Sequence, residues 1–339
     1  MKFKKENFEN KIVCGDSSTI IRKIPDESVD LVITSPPYFG CREYGDDFEG
    51  LGREADPRNY VKNVVDIIHR LMPVLKKSGS LYLNVGDVYF GTKGFSRNTG
   101  KWSRKTDSQY KSHKIVVQDK AYLQHKQRLM LPERIAIALQ DKGWVLRNNI
   151  IWEKPNPLPC HAKDRRLPVY ENIFHFVKNK KYYYDLEKAK ELNHYRDIVK
   201  CTIEPYKGHM ATFPERLVAP LIEITCPKDG VVLDPFLGGG TIAKVATDLG
   251  RKYIGIELCY QYCLYTKKRV EESGGMFASD RTVEIEIRKP APKAFTCSIC
   301  QEEKKTNFKP YWGGFLKTKH LDEKRYQKEY VCRSCRLSA

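Results

Sequence analysis

Short apolar runs alternate with helical segments along the first 270 residues or so of the chain. Between residues 57 and 75, apolar residues recur at the three- and four-residue spacing of an amphipathic helix, and shorter helices are predicted around 17–24, 131–142, 241–249 and 260–272. The apolar runs predict strands at 231–233, 254–256, 11–14, 31–34, 81–85, 145–152 and 172–177. This alternation predicts an α/β fold built around one sheet.

Two of these strands are joined by a connection that prolines interrupt. The runs 144–152 and 171–177 leave no room for a buried crossover helix between them, which predicts an antiparallel pair at one sheet edge. His161 in the connection and His175 in the second run have no partner pattern. We interpret both as structural.

The run 31–34 leads directly into Ser35-Pro36-Pro37-Tyr38. Two prolines cannot donate to a sheet ladder and they restrict φ, so the strand must end there in a rigid, extended turn. Open α/β sheets bind ligands at the carboxyl ends of their strands. The hydroxyl, the proline carbonyls and the tyrosine ring suit a flat heterocycle that carries an amino group. A proline strand terminator with a packed tyrosine is the alternative.

A second strand leads into a glycine-rich turn, Asp-Pro-Phe-Leu-Gly-Gly-Gly-Thr at 234–241, and the next strand closes with Glu257. Glycines let the backbone approach a ligand closely, and a carboxylate at a strand end can hold ribose hydroxyls. Gly238, Gly240 and Ala243 also fit the dinucleotide pattern G-x-G-x-x-A. A nicotinamide-dependent oxidoreductase is therefore a competing interpretation.

Taken together, the two motifs resemble those of the amino-methyltransferases of DNA, the cytosine-N4 and adenine-N6 family. Ser-Pro-Pro-Tyr precedes the glycine turn in the chain, as in the β-class, circularly permuted members. The resemblance covers about residues 9–272. It implies the seven-stranded, Rossmann-like sheet of a methyltransferase that uses S-adenosylmethionine (SAM), with double-stranded DNA as its substrate.

The resemblance also implies roles for individual residues. The catalytic tetrad is Ser35, Pro36, Pro37 and Tyr38. Residues implied in SAM binding lie at strand ends, in the glycine turn and before the helix that ends near Thr225; they are Asp16, Asp234, Phe236, Gly238, Gly240, Thr241, Glu257, His209, Thr212 and Phe213. Asp16 and Thr212 could instead cap the helices that follow them.

The first residue of the tetrad bears on the target base. In the family, serine there is associated with cytosine N4, and aspartate or asparagine with adenine N6. Ser35 therefore favours cytosine N4, with adenine N6 as the alternative. The base must be flipped out of the duplex to be reached. Such an enzyme is expected to work in restriction-modification, beside a cognate restriction endonuclease.

Charge is concentrated outside the sheet motifs. The net charge is +18; residues 88–130 hold ten Lys/Arg against two Asp/Glu, and residues 288–339 hold thirteen against five. Such a distribution predicts a surface that binds a polyanion, with 88–130 and 178–208 as DNA-contacting inserts of a catalytic domain, 1–275. No apolar run approaches a membrane span and no secretion signal is recognisable, so a cytoplasmic location is expected.

Eleven cysteines without such a signal indicate a reducing compartment. The tail, 290–339, carries two C-x-x-C pairs, Cys297/Cys300 and Cys332/Cys335, which predict a small structural zinc module with His320 as a spare ligand. Unliganded, reduced cysteines are the alternative. A non-catalytic zinc-ribbon protein that binds DNA through its basic faces is the distant alternative for the whole chain.

Overall fold

The computed structural model describes residues 9–40, 50–54, 56–90, 123–157, 159–160, 162–203, 213–273, 283–287, 294–296 and 303–305. The strands within these ranges form a nine-stranded sheet and a separate two-stranded sheet. In chain order the strands of the large sheet are β1 (Lys11–Cys14), β2 (Val29–Thr34), β3 (Leu75–Val85), β4 (Val145–Glu153), β5 (Tyr170–Val177), β6 (Ile198–Lys200), β7 (Val231–Asp234), β8 (Lys252–Glu257) and β9 (Glu284–Ile287). The small sheet pairs β10 (Ala294–Thr296) with β11 (Glu303–Lys305), antiparallel.

The helices lie between these strands. They are α1 (Ser17–Ile20), which continues as a 3₁₀ turn over Ile21–Lys23, α2 (Pro57–His69), α3 (Leu71–Val74), α4 (Leu131–Asp141), α5 (Leu186–Glu191), α6 (Glu215–Thr225), α7 (Thr241–Asp248) and α8 (Tyr260–Glu271). None of the helices in the described ranges has both the length and the apolar character needed to cross a membrane.

The strand order of the large sheet is β6-β4-β5-β3-β2-β7-β8-β1-β9. β5 runs antiparallel to β3 and β4, and the other neighbouring pairs are parallel. From β2 the chain continues to one side through β3, and from β7 it continues to the other side through β8. The crevice at the carboxyl ends of β2 and β7 is therefore the topological switch point, where sheets of this kind bind ligands.

Burial on both faces explains why β2, the strand before the tetrad, has so few polar residues. All six residues of β2 are buried. Val32 belongs to a hydrophobic cluster that includes α2 and α4, whereas Leu31 and Ile33 belong to a second cluster that includes α6 and α7. Because successive strand residues point to opposite faces, β2 has helices packed on both sides.

The seven predicted strands are confirmed, and so is the antiparallel pairing of β4 with β5. The number seven is wrong for the described sheet, which has nine strands. The additional strands, β6 and β9, are edge strands of three and four residues. Segments this short have too few positions for a periodic pattern, so the sequence did not reveal them.

One predicted boundary is also wrong. The strand predicted over 81–85 begins earlier, at Leu75. Lys76 in this extension pairs with the buried Asp30 at 2.7 Å, across an irregularity in the β2–β3 register. α6 begins at Glu215 with Pro214 at its N-cap position, and Thr212, the predicted cap, lies outside the described residues.

Candidate active site

The strand ends that carry the two sequence motifs are adjacent and hydrogen-bonded to each other. β2 pairs in parallel with β7, and the Thr34 hydroxyl donates to Asp234 Oδ1 at 2.7 Å. Both side chains are buried. The Ser-Pro-Pro-Tyr turn begins one residue after Thr34 and the glycine turn begins at Asp234, so both motifs start from the same point of the sheet.

The tetrad forms a corner whose tyrosine is held at both ends. The Tyr38 hydroxyl lies 2.8 Å from Asn84 Oδ1 and 2.9 Å from Glu171 Oε2. Its ring packs on the backbone of Gly86, where an added Cβ would lie 2.3 Å from the ring. Burial and the negative charge of Glu171 raise the pKa of Tyr38 well above its usual value. The hydroxyl therefore stays protonated and acts as a donor.

The Ser35 hydroxyl shares the same acceptor. Ser35 Oγ lies 3.3 Å from both Asn84 Oδ1 and the Tyr38 hydroxyl, a weak contact by the standard of hydroxyl donors. Asn84 Nδ2 donates to the Asn172 carbonyl at 3.0 Å, which turns Oδ1 toward the two hydroxyls. Because the Ser35 hydrogen points into this network, lone pairs on Oγ remain to accept a hydrogen bond from a ligand.

The two proline carbonyls of the corner differ. The Tyr60 hydroxyl donates to the Pro37 carbonyl at 3.0 Å, and Tyr60 is itself buried. No donor to the Pro36 carbonyl is found among the described residues. A ligand at the corner can therefore use Ser35 Oγ and the Pro36 carbonyl as neighbouring acceptors.

The glycine turn is held from below by α8. Gly238 and Gly240 have left-handed backbones, with φ of 51° and 74°. A Cβ on Gly240 would lie 2.3 Å from Thr266, whose hydroxyl donates to the Gly238 carbonyl at 3.2 Å. Arg269 donates to the Gly239 carbonyl at 2.7 Å. These contacts fix the path of the turn up to the first residue of α7.

Arg269 also connects the turn to α6. Its guanidinium, on a side chain only 6% exposed, reaches Thr241 Oγ1 at 3.1 Å and Glu215 Oε1 at 2.8 Å. Glu215 is the first residue of α6, directly after Phe213 and Pro214. The glycine turn and the start of α6 are thus joined by one buried cation.

The carboxylate of Glu257 closes β8 beside the turn. Its Oε2 accepts from the Gly238 amide and its Oε1 from the Cys259 amide, each at 2.8 Å. The side chain remains half-buried. Two backbone donors orient the carboxylate at the strand end, where a carboxylate is suited to accept from ligand hydroxyls.

Asp16 is exposed and caps α1, because its Oδ1 accepts from the Thr19 amide at 2.9 Å. The neighbouring Ser17 hydroxyl donates to the Pro235 carbonyl, so the start of α1 lies against the glycine turn. The capping interpretation of Asp16 is confirmed.

The other predicted ligand-binding residues are partly described. Phe236 is half-buried and its amide donates to Asp234 Oδ1 at 3.0 Å. Phe213 lies against the buried Trp152, with ring centroids 6.3 Å apart. His209, Thr212 and the four tail cysteines lie outside the described residues.

His175 is buried, stacked on Tyr82 with ring centroids 4.5 Å apart, and its Nε2 lies 3.0 Å from Ser80 Oγ. Burial, with the nearby positive charge of Arg147, lowers the pKa of His175 to about 3. The ring is therefore neutral at ordinary pH. The structural interpretation of His175 is confirmed, and His161 lies outside the described residues.

Asn84, Glu171 and Lys154, whose ammonium donates to Glu171 Oε1, were missed by the sequence interpretation. Asn84 lies near the end of the strand run 81–85, just before Gly86-Asp87, and Glu171 opens the run 171–177. The sequence signal was the position of these polar residues at the ends of apolar strands. Asp87 itself anchors the start of α4, accepting from Arg128 Nε at 2.6 Å and from the Leu131 amide at 3.1 Å.

Burial makes the Asp234 carboxyl a weaker acid than an ordinary aspartate. It raises the pKa of the Asp234 carboxyl to about 7 against the lowering effect of the bonds from the Phe236 amide and the Thr34 hydroxyl, with the charge of Glu257 raising the pKa further. Between the ordinary value of 3.8 and about 7, the folded protein binds more protons at this carboxyl than the unfolded chain does. This group therefore makes the free energy of unfolding fall as pH rises through that window.

Replacing Asp234 with asparagine should remove this dependence, because the amide oxygen can still accept from Thr34 and Phe236 but does not titrate. We expect the variant to gain stability relative to the wild type by roughly a few kcal/mol between about pH 4 and 7, with little change above. Urea titrations of both proteins across this range measure the difference. A stability difference between the two proteins that does not vary with pH would contradict the raised pKa of Asp234.

Known proteins are similar to this chain in both sequence and architecture. Residues 29–268 match the DNA methylase family, N6_N4_Mtase. The Type II methyltransferase M.XycI of Xanthomonas campestris pv. cyanopsidis is 36% identical over 264 residues, which cover 76% of this chain and 86% of that protein. M.SmaI of Serratia marcescens, also a Type II methyltransferase, is 36% identical over 271 residues, covering 77% and 90%.

Solved structures have the same fold. PvuII DNA methyltransferase (cytosine-N4-specific) matches with a TM-score of 0.60 at 21% identity, covering 78% of this chain and 86% of that one. A putative DNA modification methylase of Thermus thermophilus, complexed with S-adenosyl-L-methionine, matches with a TM-score of 0.57 at 23% identity, covering 84% and 99%. The family match spans both motifs of the active site. The chain therefore belongs to the N6/N4 DNA methylase family.

Proposed function

We propose that this protein methylates the exocyclic N4 of cytosine in double-stranded DNA, using SAM, as the modification enzyme of a restriction-modification system. The observation that carries the proposal is the Thr34–Asp234 hydrogen bond, which joins the strand ends of the tetrad and of the glycine turn. The Type II methyltransferases similar to this chain support a role beside a cognate restriction endonuclease. The order of the two motifs in the chain supports a circularly permuted arrangement.

The corner around Ser35 is suited to activating an amino group. An exocyclic amino nitrogen is a poor nucleophile because its lone pair is delocalised into the ring. Ser35 Oγ and the Pro36 carbonyl would accept its two hydrogens and draw the nitrogen toward sp³ geometry, which directs the lone pair out of the ring plane. Tyr38 would stack on the base. The surplus proton leaves after transfer, and no covalent intermediate with the protein forms.

The residues around the glycine turn fit SAM. Left-handed glycines let the backbone approach the ligand, and the Glu257 carboxylate can accept from ribose hydroxyls. The carboxyl groups of Asp16 and Asp234 stand at the N-cap of α1 and at the first position of the turn. Phe236 and Thr241 line the turn itself, and His209, Thr212 and Phe213 would hold the methionine end. When bound, SAM supplies a methyl group on a positively charged sulfonium.

The target base would be flipped out of the duplex into the crevice, with basic segments holding the DNA backbone. At the base of the insert 88–130, the Arg165 guanidinium lies 3.8 Å above the centre of the Tyr89 ring. Together with 178–208, this insert would form the DNA-contacting part of a catalytic domain, 1–275. DNA affinity should then fall steeply with added salt, and an affinity that is insensitive to salt would contradict these contacts.

For the tail, 290–339, we propose a structural zinc module with Cys297, Cys300, Cys332 and Cys335 as ligands. The antiparallel strands β10 and β11 flank the first C-x-x-C pair in sequence, and paired C-x-x-C motifs have the ligand spacing of structural zinc sites. Metal analysis of the purified protein should find one zinc per chain, and a Cys332→Ser/Cys335→Ser variant should lose it. Purified wild-type protein without zinc would contradict the module.

Ser35 supports cytosine N4 over adenine N6 as the target. Mass spectrometry of nucleosides from DNA incubated with the protein and SAM distinguishes the two. We expect N4-methylcytosine as the product. N6-methyladenine as the sole product would contradict the cytosine assignment, and the absence of any methylated nucleoside would contradict the enzyme itself.

A further inference from the structure

The hydrogen-bonded network of the tetrad continues past Tyr38 to a lysine. Glu171 Oε2 accepts a hydrogen bond from the Tyr38 hydroxyl, and Glu171 Oε1 accepts one from the ammonium of Lys154. Only 14% of the Lys154 side chain and 20% of the Glu171 side chain are exposed. Sheltered ion pairs add little net stability on average, because desolvation offsets their attraction. Their position beside the tetrad indicates a role in the site.

Lys154 lies between the tetrad and the segment expected to hold the methionine end of SAM. Its ammonium sits 4.4 Å from the centre of the Trp152 ring. Trp152 is buried and neighbours Phe213, which precedes α6. A base presented by Ser35 toward that segment would have its edge near Lys154.

The ammonium has hydrogen-bonding capacity left for a ligand. A lysine carries three N–H donors, and one of them is used by Glu171. In the described ranges Lys154 Nζ has no second hydrogen-bond acceptor, and its other contact is with the face of the Trp152 ring. An oxygen or ring nitrogen of a bound base can therefore take up a second donor.

Cytosine and adenine differ where this donor would lie. Along its pairing edge cytosine presents the amino group, the N3 acceptor and the O2 carbonyl, whereas adenine presents the amino group, the N1 acceptor and a C2–H. Enzymes that flip bases read this edge by hydrogen bonds. We propose that Lys154, held in place by Glu171, donates to O2 of the flipped cytosine and so selects cytosine over adenine. This inference rests on the proposed function.

The dimensions are compatible with one base bridging the two groups. A path of contacts links Ser35 Oγ to Lys154 Nζ: 3.3 Å to the Tyr38 hydroxyl, 2.9 Å to Glu171 Oε2, across the carboxylate to Oε1, and through the ion pair. The length of this path sets an upper limit of roughly 11 Å on the distance between the two atoms. Cytosine spans about 10 Å from its amino group to its carbonyl when a hydrogen bond at each end is included.

The test combines a protein change with a change in the base. Wild type and Lys154→Met are compared by single-turnover methylation of two duplexes, one with cytosine at the mapped target position and one with a 2-aminopyridine C-nucleoside there. The analogue keeps the amino group and the ring nitrogen but has C–H in place of the carbonyl. Lys178→Met is the matched control, since Lys178 is also an ion-paired lysine with a side chain only 13% exposed, and its partners are Glu27 and the Met72 carbonyl.

We expect Lys154→Met to lower the rate on cytosine by about 10- to 100-fold, the loss of one hydrogen bond from a charged donor. On the analogue, Lys154→Met and wild type should be equal within about threefold, and Lys178→Met should match wild type on both duplexes. An equal loss on both duplexes would mean that Lys154 only positions Tyr38, and it would overturn the proposal. An unchanged rate on cytosine would overturn it too. A wild type that forms no N4-methylcytosine would instead reject the proposed function.

Discussion

Replacing Ser35 with alanine is expected to lower the rate of methyl transfer by about a hundredfold or more while SAM and DNA still bind. The hydroxyl hydrogen points toward Asn84 and Tyr38, so Oγ presents lone pairs to the amino group. Its hydrogen bond strengthens as the nitrogen becomes sp³, which makes the contribution specific to the transition state. Single-turnover incorporation of labelled methyl groups measures the rate, and calorimetry measures SAM affinity.

Ser78→Ala is a suitable control, because Ser78 is an exposed serine of β3 outside the strand-end cluster of Ser35, Tyr38 and Asn84. It should methylate DNA at the wild-type rate. If Ser35 and Asn84 act together, the effects of Ser35→Ala and Asn84→Ala will not add in the double variant. A Ser35→Ala protein with wild-type turnover would show that the amino group is held elsewhere.

The second large effect is expected at the glycine turn. Gly240→Ala should weaken SAM binding by about tenfold to a hundredfold, because the new Cβ would lie 2.3 Å from Thr266, a fully buried side chain. The turn can accommodate the methyl group only by moving, and movement displaces the backbone that would contact the ligand. The φ of 74° adds about 1–2 kcal/mol of strain.

Gly250→Ala separates these two causes. Gly250 has a similar φ of 68°, but a Cβ there would meet no atom within 4 Å. The control variant should lose stability from backbone strain yet bind SAM as the wild type does. Titration calorimetry and thermal unfolding of both variants give the comparison. Equal SAM affinities for Gly240→Ala and Gly250→Ala would contradict the proposal that the glycine turn binds SAM.

The residues that the sequence predicted best are those whose role is local. β2 is a continuous apolar run that two prolines must end, so both the strand and the corner follow from consecutive residues. The glycine turn is equally local, because left-handed positions favour glycine. For these segments the pattern of a few neighbouring residues determines the structure.

The residues that the sequence missed depend on strand pairing between distant segments. Asn84 reaches Ser35 from β3, and Glu171 reaches Tyr38 from β5, 133 positions along the chain. Their meeting depends on the antiparallel register of β3 with β5, in which Asn84 pairs with Ile173. No periodicity within either strand encodes that register. The boundary of β3 was missed for a similar reason, since the buried Asp30 draws Lys76 into the sheet.

A crystal structure with target DNA and S-adenosylhomocysteine would show where the base and the methyl donor bind. We expect a flipped cytosine whose amino nitrogen lies within hydrogen-bond distance of Ser35 Oγ and the Pro36 carbonyl. The sulfur should lie above the turn at 234–241, oriented so that a transferred methyl carbon would be about 3–3.5 Å from that nitrogen. A sulfur far from Ser35, or a base bound away from the Ser-Pro-Pro-Tyr corner, would contradict the proposed methyl transfer at this corner.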